Sequence, residues 1–273
     1  VDSRDVGAVR MSEETTIGDT VGLSAMSGSG VSSFGQARVE PFKTIWHCDM
    51  VQSSKAWHKI KEDKISATGG NTLMVNELGK KEEYITVVPS EKSGTFGKGC
   101  LTMLKDKADF KRGRGKKKNP INSASAEWGN LMEAKSRKAH EKATGKETYE
   151  VGFIECVGFN IGISPDGVIK DEKALIEIKN YGTTKVNKIV ETGKIPKDAY
   201  LQMQMQLLVS DYDRVDFVLT DYHEEAKYEY TCFEVFRDEE LIQVMKDKLI
   251  KASKHIDDKA KEDENDSLAW LLG

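Results

Sequence analysis

No run in this sequence approaches the roughly eighteen uninterrupted apolar residues that a membrane-spanning helix requires, so no spanning segment is expected. The N-terminus also lacks the basic, then apolar, then small-residue order of a secretory signal, which makes the cytoplasm the expected compartment. Cys48, Cys100, Cys156 and Cys232 are widely spaced and form no CxxC pair. That argues against a disulfide framework or a zinc site and leaves each as a small core residue or a free thiol. There is no basic excess either: the net charge is -4, so the molecule as a whole does not advertise nucleic-acid binding, and the distribution of charge matters more than its sum. What is present is a chain of 273 residues, 38% apolar and 32% charged, long enough for one large domain with tails and for a sizeable buried core.

The chain is organised around residues 164–180, SPDGVIKDEKALIEIKN. In a strand, Glu177 and Lys179 project on one side while Ile176 and Ile178 face the other way into a core. A hairpin would bring Asp166 beside them. Two carboxylates and an ammonium at one spot suit a hard divalent cation, which prefers oxygen ligands, with an amine left to orient or deprotonate water. This is the chemistry of phosphodiester hydrolysis. A lone E-x-K is more often an ordinary strand with a solvated polar face, but here a Pro-Asp-Gly turn precedes it, and PDGVIKDEKALIEIK resembles the motif of the PD-(D/E)XK nucleases.

Along the rest of the chain, residues 1–42 are rich in Gly, Ser, Thr and Val and read as a flexible leader. Residues 43–260 read as the folded domain and 261–273 as an acidic tail ending in LAWLLG, either a docking peptide or a helix end packed on the body. Within the domain, Ser53 or Ser54 can cap a helix in which Trp57 and Ile60 share a face. Lys59, Lys61 and Lys64 cluster near Thr68 and a Gly69-Gly70 turn, a set of groups that could hold an anion such as phosphate or simply form a solvated basic turn. Residues 76–110 read as loop then helix, with Leu101, Leu104 and Phe110 as its apolar positions. From Lys111 to Lys118 every residue is basic except Gly113 and Gly115. A flexible loop carrying Lys111, Arg112, Arg114 and Lys116 could lie along a nucleic-acid backbone, or be solvated, or serve as a localisation signal. A helix over 123–144 ends at Gly145 and places Glu133 beside an apolar face, where a carboxylate is costly to bury unless paired or metal-bound. Two short strands are expected in 149–163. The segment AYLQMQMQLLVS supports either a strand or a helix, and DRVDFVLTDY reads as a strand. An amphipathic helix is expected over 239–260.

Several blocks resemble the lambda exonuclease family, the YqaJ-type viral recombinases, in order and spacing: Ala56-Trp57-His58-Lys59-Ile60-Lys61, Ile65-Ser66-Ala67-Thr68, Trp128-Gly129-Asn130-Leu131-Met132-Glu133, Ser164-Pro165-Asp166-Gly167 and Glu177-Ile178-Lys179. The resemblance covers residues 53–222. It implies an α/β fold of the PD-(D/E)XK type, a central mixed β-sheet flanked by helices. It also implies that Glu133, Asp166, Glu177 and the Ile178 carbonyl hold Mg²⁺, for which Mn²⁺ could substitute, and that Lys179 positions or activates water. Lys61 and Thr68 would hold a 5′-phosphate, although a Lys replaces the expected Arg and loses bidentate binding. Trp57 and His58 are expected to be packing residues. The family's Y-x-x-Q-x-Q helix implies a helix over Tyr200, Gln202, Gln204 and Gln206. With Tyr200 one residue out of place, Gln204 is the expected active-site amide and Gln202 the other candidate.

The implied activity is 5′→3′ degradation of one strand at double-stranded DNA ends, leaving a 3′ overhang for recombination. A homo-oligomer, commonly a trimeric ring, and a single-strand annealing protein as partner come with the resemblance; no membrane is involved. Two rivals remain: a PD-(D/E)XK endonuclease of a restriction or repair system, which would not need the 5′-phosphate pocket, and a DNA-binding module that has lost catalysis.

Overall fold

Residues 174–179, apolar at Ala174, Leu175, Ile176 and Ile178, form the middle strand of a five-stranded sheet. In the computed structural model, which describes residues 37–74, 96–116 and 124–272, this sheet comprises β2 (Thr148–Tyr149), β5 (Gly167–Ile169), β6 (Ala174–Lys179), β7 (Arg214–Thr220) and β8 (Tyr230–Phe236), in the order β2-β5-β6-β7-β8. Every pairing is antiparallel except β6 with β7. A parallel pair needs a long crossover, supplied by α5 (Thr183–Thr192) and α6 (Lys197–Ser210). The sheet is therefore mixed, as expected. A second, three-stranded sheet takes β1 (Thr44–His47), β3 (Phe153–Cys156) and β4 (Gly162–Ile163) in the order β1-β3-β4. The two strands expected in 149–163 thus form, but as part of this separate sheet.

The large sheet is covered on both faces. Ile169, Ala174, Ile176, Ile178 and Val218 form one apolar cluster, and α4 (Ala124–Thr144) packs against β6, β7 and β8. On the opposite side of the pleat, Leu175, Val215, Phe217 and Leu219 join the main core with residues of α6 and of α7 (Glu239–Leu272). Burial on both faces is why β6 reads as a nearly unbroken apolar run. Ile176 and Ile178 face a core as expected, but Glu177 on the other side is itself fully buried.

α6 is enclosed almost all round, with Ala199, Leu201 and every residue from Met203 to Ser210 buried. It has no polar face, which is why its sequence supported a strand as readily as a helix. Close packing of α6 also explains the glycine pair. Gly69 and Gly70 lie inside α2 (Ala67–Leu73), not in a turn, and a Cβ on Gly70 would stand 2.8 Å from the Met205 sulfur.

Three expected boundaries shift. Residues 37–42, assigned to the leader, pack on the body: Val39 and Phe42 are buried, and Arg38 pairs with Asp211 and Asp213 at 2.8 and 2.7 Å. The Lys-rich stretch after 185 is helical through α5, and β8 carries a strand that the sequence pattern left unassigned. The helix expected to stop near 260 continues to Leu272. Residues 1–36 of the leader, 75–95, and Lys117 and Lys118 of the basic run lie outside the described residues.

Candidate active site

The hairpin of β5 and β6 sets Asp166 next to the E-x-K strand. Gly167 pairs with Ile176, the Asp166 N–H donates to the Ile176 carbonyl at 3.1 Å, and the Ile178 N–H donates to Asp166 Oδ2 at 2.7 Å. The turn entering the hairpin is pinned from α1 (Lys55–Lys61) and its approach. Trp57 Nε1 donates to Ser164 Oγ at 2.8 Å and to the Gly152 carbonyl at 3.0 Å, and Gln52 Nε2 donates to the Pro165 carbonyl at 2.9 Å. Trp57 is thus a positioning residue, in line with its expected packing role. Ser54 caps α1 through the Trp57 N–H, one of the two caps the sequence allowed.

Glu133 arrives from α4. Arg137, one turn further on, donates to Glu133 Oε1 at 2.5 Å and to the Asp166 carbonyl at 2.9 Å and also pairs with Glu150. Arg137 was not singled out from the sequence, although its i,i+4 spacing from Glu133 was the available signal. The three acids feel one another. Burial, then the charges of Glu177 and Glu133, hold the Asp166 carboxyl well above the ordinary carboxylate range. Burial also raises Glu133, against the pull of Arg137. Burial disfavours the charge on Lys179, yet Glu177 and Asp166 outweigh it and hold the ammonium above its usual value; Lys179 donates directly to Glu177.

Burial first, and neighbouring acids second, push Asp166 and Glu133 toward protonation, so the site has a deficit of positive charge. The donors are oxygens, so the residues fit a hard divalent cation.

Glu177 is held by two amides from α6. Gln202 Nε2 donates to its Oε1 at 2.7 Å and Gln206 Nε2 to its Oε2 at 2.7 Å. Gln204, the expected active-site amide, is turned away: its Nε2 donates to the Phe236 carbonyl at 2.8 Å, and its Oε1 accepts from the Asp238 N–H at 2.9 Å. The reason is helical rotation. Residues four apart share a face, while residue i+2 points to the other side. Gln204, the first choice from the sequence, is bonded away from the acids, whereas Gln202, the other candidate, and Gln206, which was missed, both face Glu177.

On the anion side, Lys61 lies over the Trp57 ring, 3.5 Å from its centroid. Burial, then the neighbouring Lys107, lowers its ammonium to about 8, against the pull of Asp166. Lys107 itself donates to the carbonyls of Lys61 and Glu62. A partly desolvated cation near the acids is suited to an anion at the rim of the site.

A sequence model of the YqaJ-like viral recombinase domain matches residues 56–213, more than half the chain and the span holding the acids, Lys179 and the three glutamines. The chain belongs to that family. Similar solved structures include an alkaline exonuclease, LHK-Exo, from Laribacter hongkongensis, 21% identical with a TM-score of 0.66 over 80% of this chain and 100% of that one. The same enzyme in complex with dAMP is 20% identical with a TM-score of 0.66 over the same shares of the two chains. A phage-related exonuclease from Haemophilus somnus 129PT is 15% identical with a TM-score of 0.51, covering 73% of this chain and 96% of that one. The likeness to these structures is one of fold, and it is the α/β nuclease fold that the motifs implied. No curated protein matches the sequence.

Other expected contacts of this YqaJ-like domain are redistributed. Lys64 faces Asp63 and Glu155, at 3.3 and 3.5 Å, instead of the region of Thr68. Thr68 is exposed in the first turn of α2, which Ser66 caps through the Gly69 N–H. The basic run begins within structure, not in a loop: Lys111 is the last residue of α3 (Lys98–Lys111). Its ammonium donates to Asp257 at 2.5 Å and Asn160 at 2.8 Å. Arg112 is largely buried beside Asp109, with which it pairs. Both are tied to acids and to α7 and do not form the expected free DNA-facing pair. Arg114 and Lys116 are exposed.

Proposed function

We propose that the chain is a Mg²⁺-dependent exonuclease that degrades the 5′-phosphorylated strand of a double-stranded DNA end in the 5′→3′ direction, with Mn²⁺ able to substitute. The observation that carries this reading is the convergence of Glu133, Asp166 and Glu177, from a helix, a turn and a strand, with Lys179 bonded to Glu177. When bound to these carboxylates and the Ile178 carbonyl, the divalent cation supplies charge stabilisation at the phosphoryl oxygens and a lower pKa for the attacking water.

The chain's own residues do the positioning. Gln202 and Gln206 fix the Glu177 carboxylate from both oxygens, and Arg137 fixes Glu133 and the Asp166 backbone. Lys179 stands beside Glu177 to orient the attacking water. Lys61, with Thr68 at the start of α2, provides the 5′-phosphate end of the site, and the exposed Arg114 and Lys116 contact the duplex backbone. A ring of several copies around the product, and an annealing protein that takes the exposed strand, belong to the same reading.

The test is digestion of a linear duplex bearing a 5′-phosphate on one end and a 5′-hydroxyl on the other, with Mg²⁺. The expected outcome is selective loss of the phosphorylated strand, abolished by Lys179→Ala. Cutting of a closed circle would replace this reading with an endonuclease, and absence of any cutting would replace it with a binding role.

A further inference from the structure

On the opposite face of the sheet from Glu177 lies a group of side chains of metal-ligating type that the proposed nuclease chemistry does not use. One nitrogen of His140, one carboxylate oxygen of Asp216 and the sulfur of Cys232 all lie within 4.8 Å of one another. They come from α4, β7 and β8. Cys232 pairs across from Val218, which places it diagonally beside Asp216 on the same face of the β7–β8 ladder. His140 is fully buried and Asp216 nearly so.

His140 supplies the deciding detail. Its Nδ1 is 2.9 Å from the Tyr230 hydroxyl. When Nδ1 carries the proton and donates it there, Nε2 presents a lone pair. Nε2 is buried and meets no group with good hydrogen-bond geometry; it faces Asp216 Oδ2 at 3.4 Å, a separation bridged either by a proton on Nε2 in a long hydrogen bond or, in the tautomer with the proton on Nδ1, by a cation. A lone pair aimed at a carboxylate is repulsive unless a cation lies between them. Asp216 Oδ1 is occupied separately by Arg214 Nε at 2.7 Å, which leaves Oδ2 for that cation. Ligand atoms around a tetrahedral zinc-type ion stand about 3.3–3.7 Å apart, a spacing the His140–Asp216 pair already has. A mixed nitrogen, sulfur and oxygen set suits a borderline ion and not Mg²⁺.

We propose that His140, Asp216 and Cys232 bind one zinc-type divalent cation, a structural clip joining α4 to β7 and β8. Ligands drawn from three separate elements leave no CxxC spacing, so a sequence search for zinc motifs passes over the site. Because His140 lies two turns along the helix that carries Glu133, the clip would fix the register of α4 on the sheet. The site is separate from the catalytic acids and does not depend on the nuclease reading.

Co²⁺, as a spectroscopic probe for zinc, is titrated into the full-length chain in excess Mg²⁺, which occupies the carboxylate site. The expected result is one equivalent of Co²⁺ with a thiolate-to-cobalt charge-transfer band. Cys232→Ser and Cys232→Ala should both abolish the band, His140→Gln should weaken binding at least tenfold, and Asp166→Asn should leave the band unchanged. A wild-type protein with no thiolate band overturns the proposal, leaving His140 and Asp216 as a proton-bridged pair. So does a band that survives both Cys232 substitutions, or one that disappears in Asp166→Asn.

Discussion

Asp166 is buried beside two other carboxylates, and in the metal-free protein that placement works against folding. A carboxyl raised above its ordinary value keeps a proton in the folded state that the unfolded chain releases near pH 4. The folded state therefore binds more protons, and stability falls as pH climbs from about 4 through the raised value. Asp166→Asn removes the charge but keeps an oxygen for the Ile178 N–H. Metal-free Asp166→Asn should melt higher than wild type at neutral pH, by about 2–4 °C for each kcal/mol recovered, while cleavage is abolished. Added Mg²⁺ should raise the melting temperature of wild type far more than that of the variant, as followed by thermal scans. A second consequence concerns Lys61, whose ammonium is lowered to about 8 by burial and by Lys107. Its charge is present below that pH and lost above it. The preference for 5′-phosphorylated over 5′-hydroxyl ends should decline as pH rises through about 8, and Lys61→Arg, which stays charged, should hold the preference flat. Initial rates on the two ends across a pH series provide the measurement.

Within α6 the three glutamines separate by side of the helix. Gln204→Ala should destabilise the fold by about 1–3 kcal/mol, because the Phe236 carbonyl and Asp238 N–H are left without partners, and cleavage per folded molecule should stay close to wild type. Gln206→Met should cost less stability but lower Mg²⁺ affinity or rate by about 10–100-fold, since it frees a carboxylate that must be oriented. Denaturant melts set beside Mg²⁺ titrations of cleavage separate the two. The same helix shows what the sequence could reveal. The hairpin that sets Asp166 beside Glu177 and Lys179, and the ends of α1 and α4, were legible because each depends on local spacing: period two on β6, an i,i+3 cap at Ser54, a glycine after α4; Glu133 came from the family resemblance, and the Ser66 cap of α2 was missed behind the Gly69-Gly70 pair. Choosing among Gln202, Gln204 and Gln206 was not legible, because a fully enclosed helix carries no polar stripe to mark which side faces the acids. Lys111 and Arg112 were misread for a related reason: Asp257, nearly 150 residues away, is what neutralises Lys111.

For the whole molecule, the net charge of -4 leaves the proposed DNA affinity to local basic groups. Replacing both Arg114 and Lys116 with Ala should reduce the slope of log affinity against log salt by up to about 0.9 for each phosphate that is no longer neutralised, whereas Lys111→Ala should leave the slope unchanged. Binding to a labelled duplex end at several salt concentrations, with Ca²⁺ in place of Mg²⁺ to prevent cleavage, reads this directly. The chain also closes on itself at long range. The Val39 N–H donates to Glu239 at 2.9 Å, across 200 positions, and Lys246 donates to the Glu40 carbonyl at 2.6 Å. During synthesis the segment around Val39 leaves the ribosome long before the first turn of α7 exists. One corner of the core must therefore stay open until the first turn of α7 has been made, which exposes Val39 and Phe42 to chaperones or to neighbouring nascent chains over that interval.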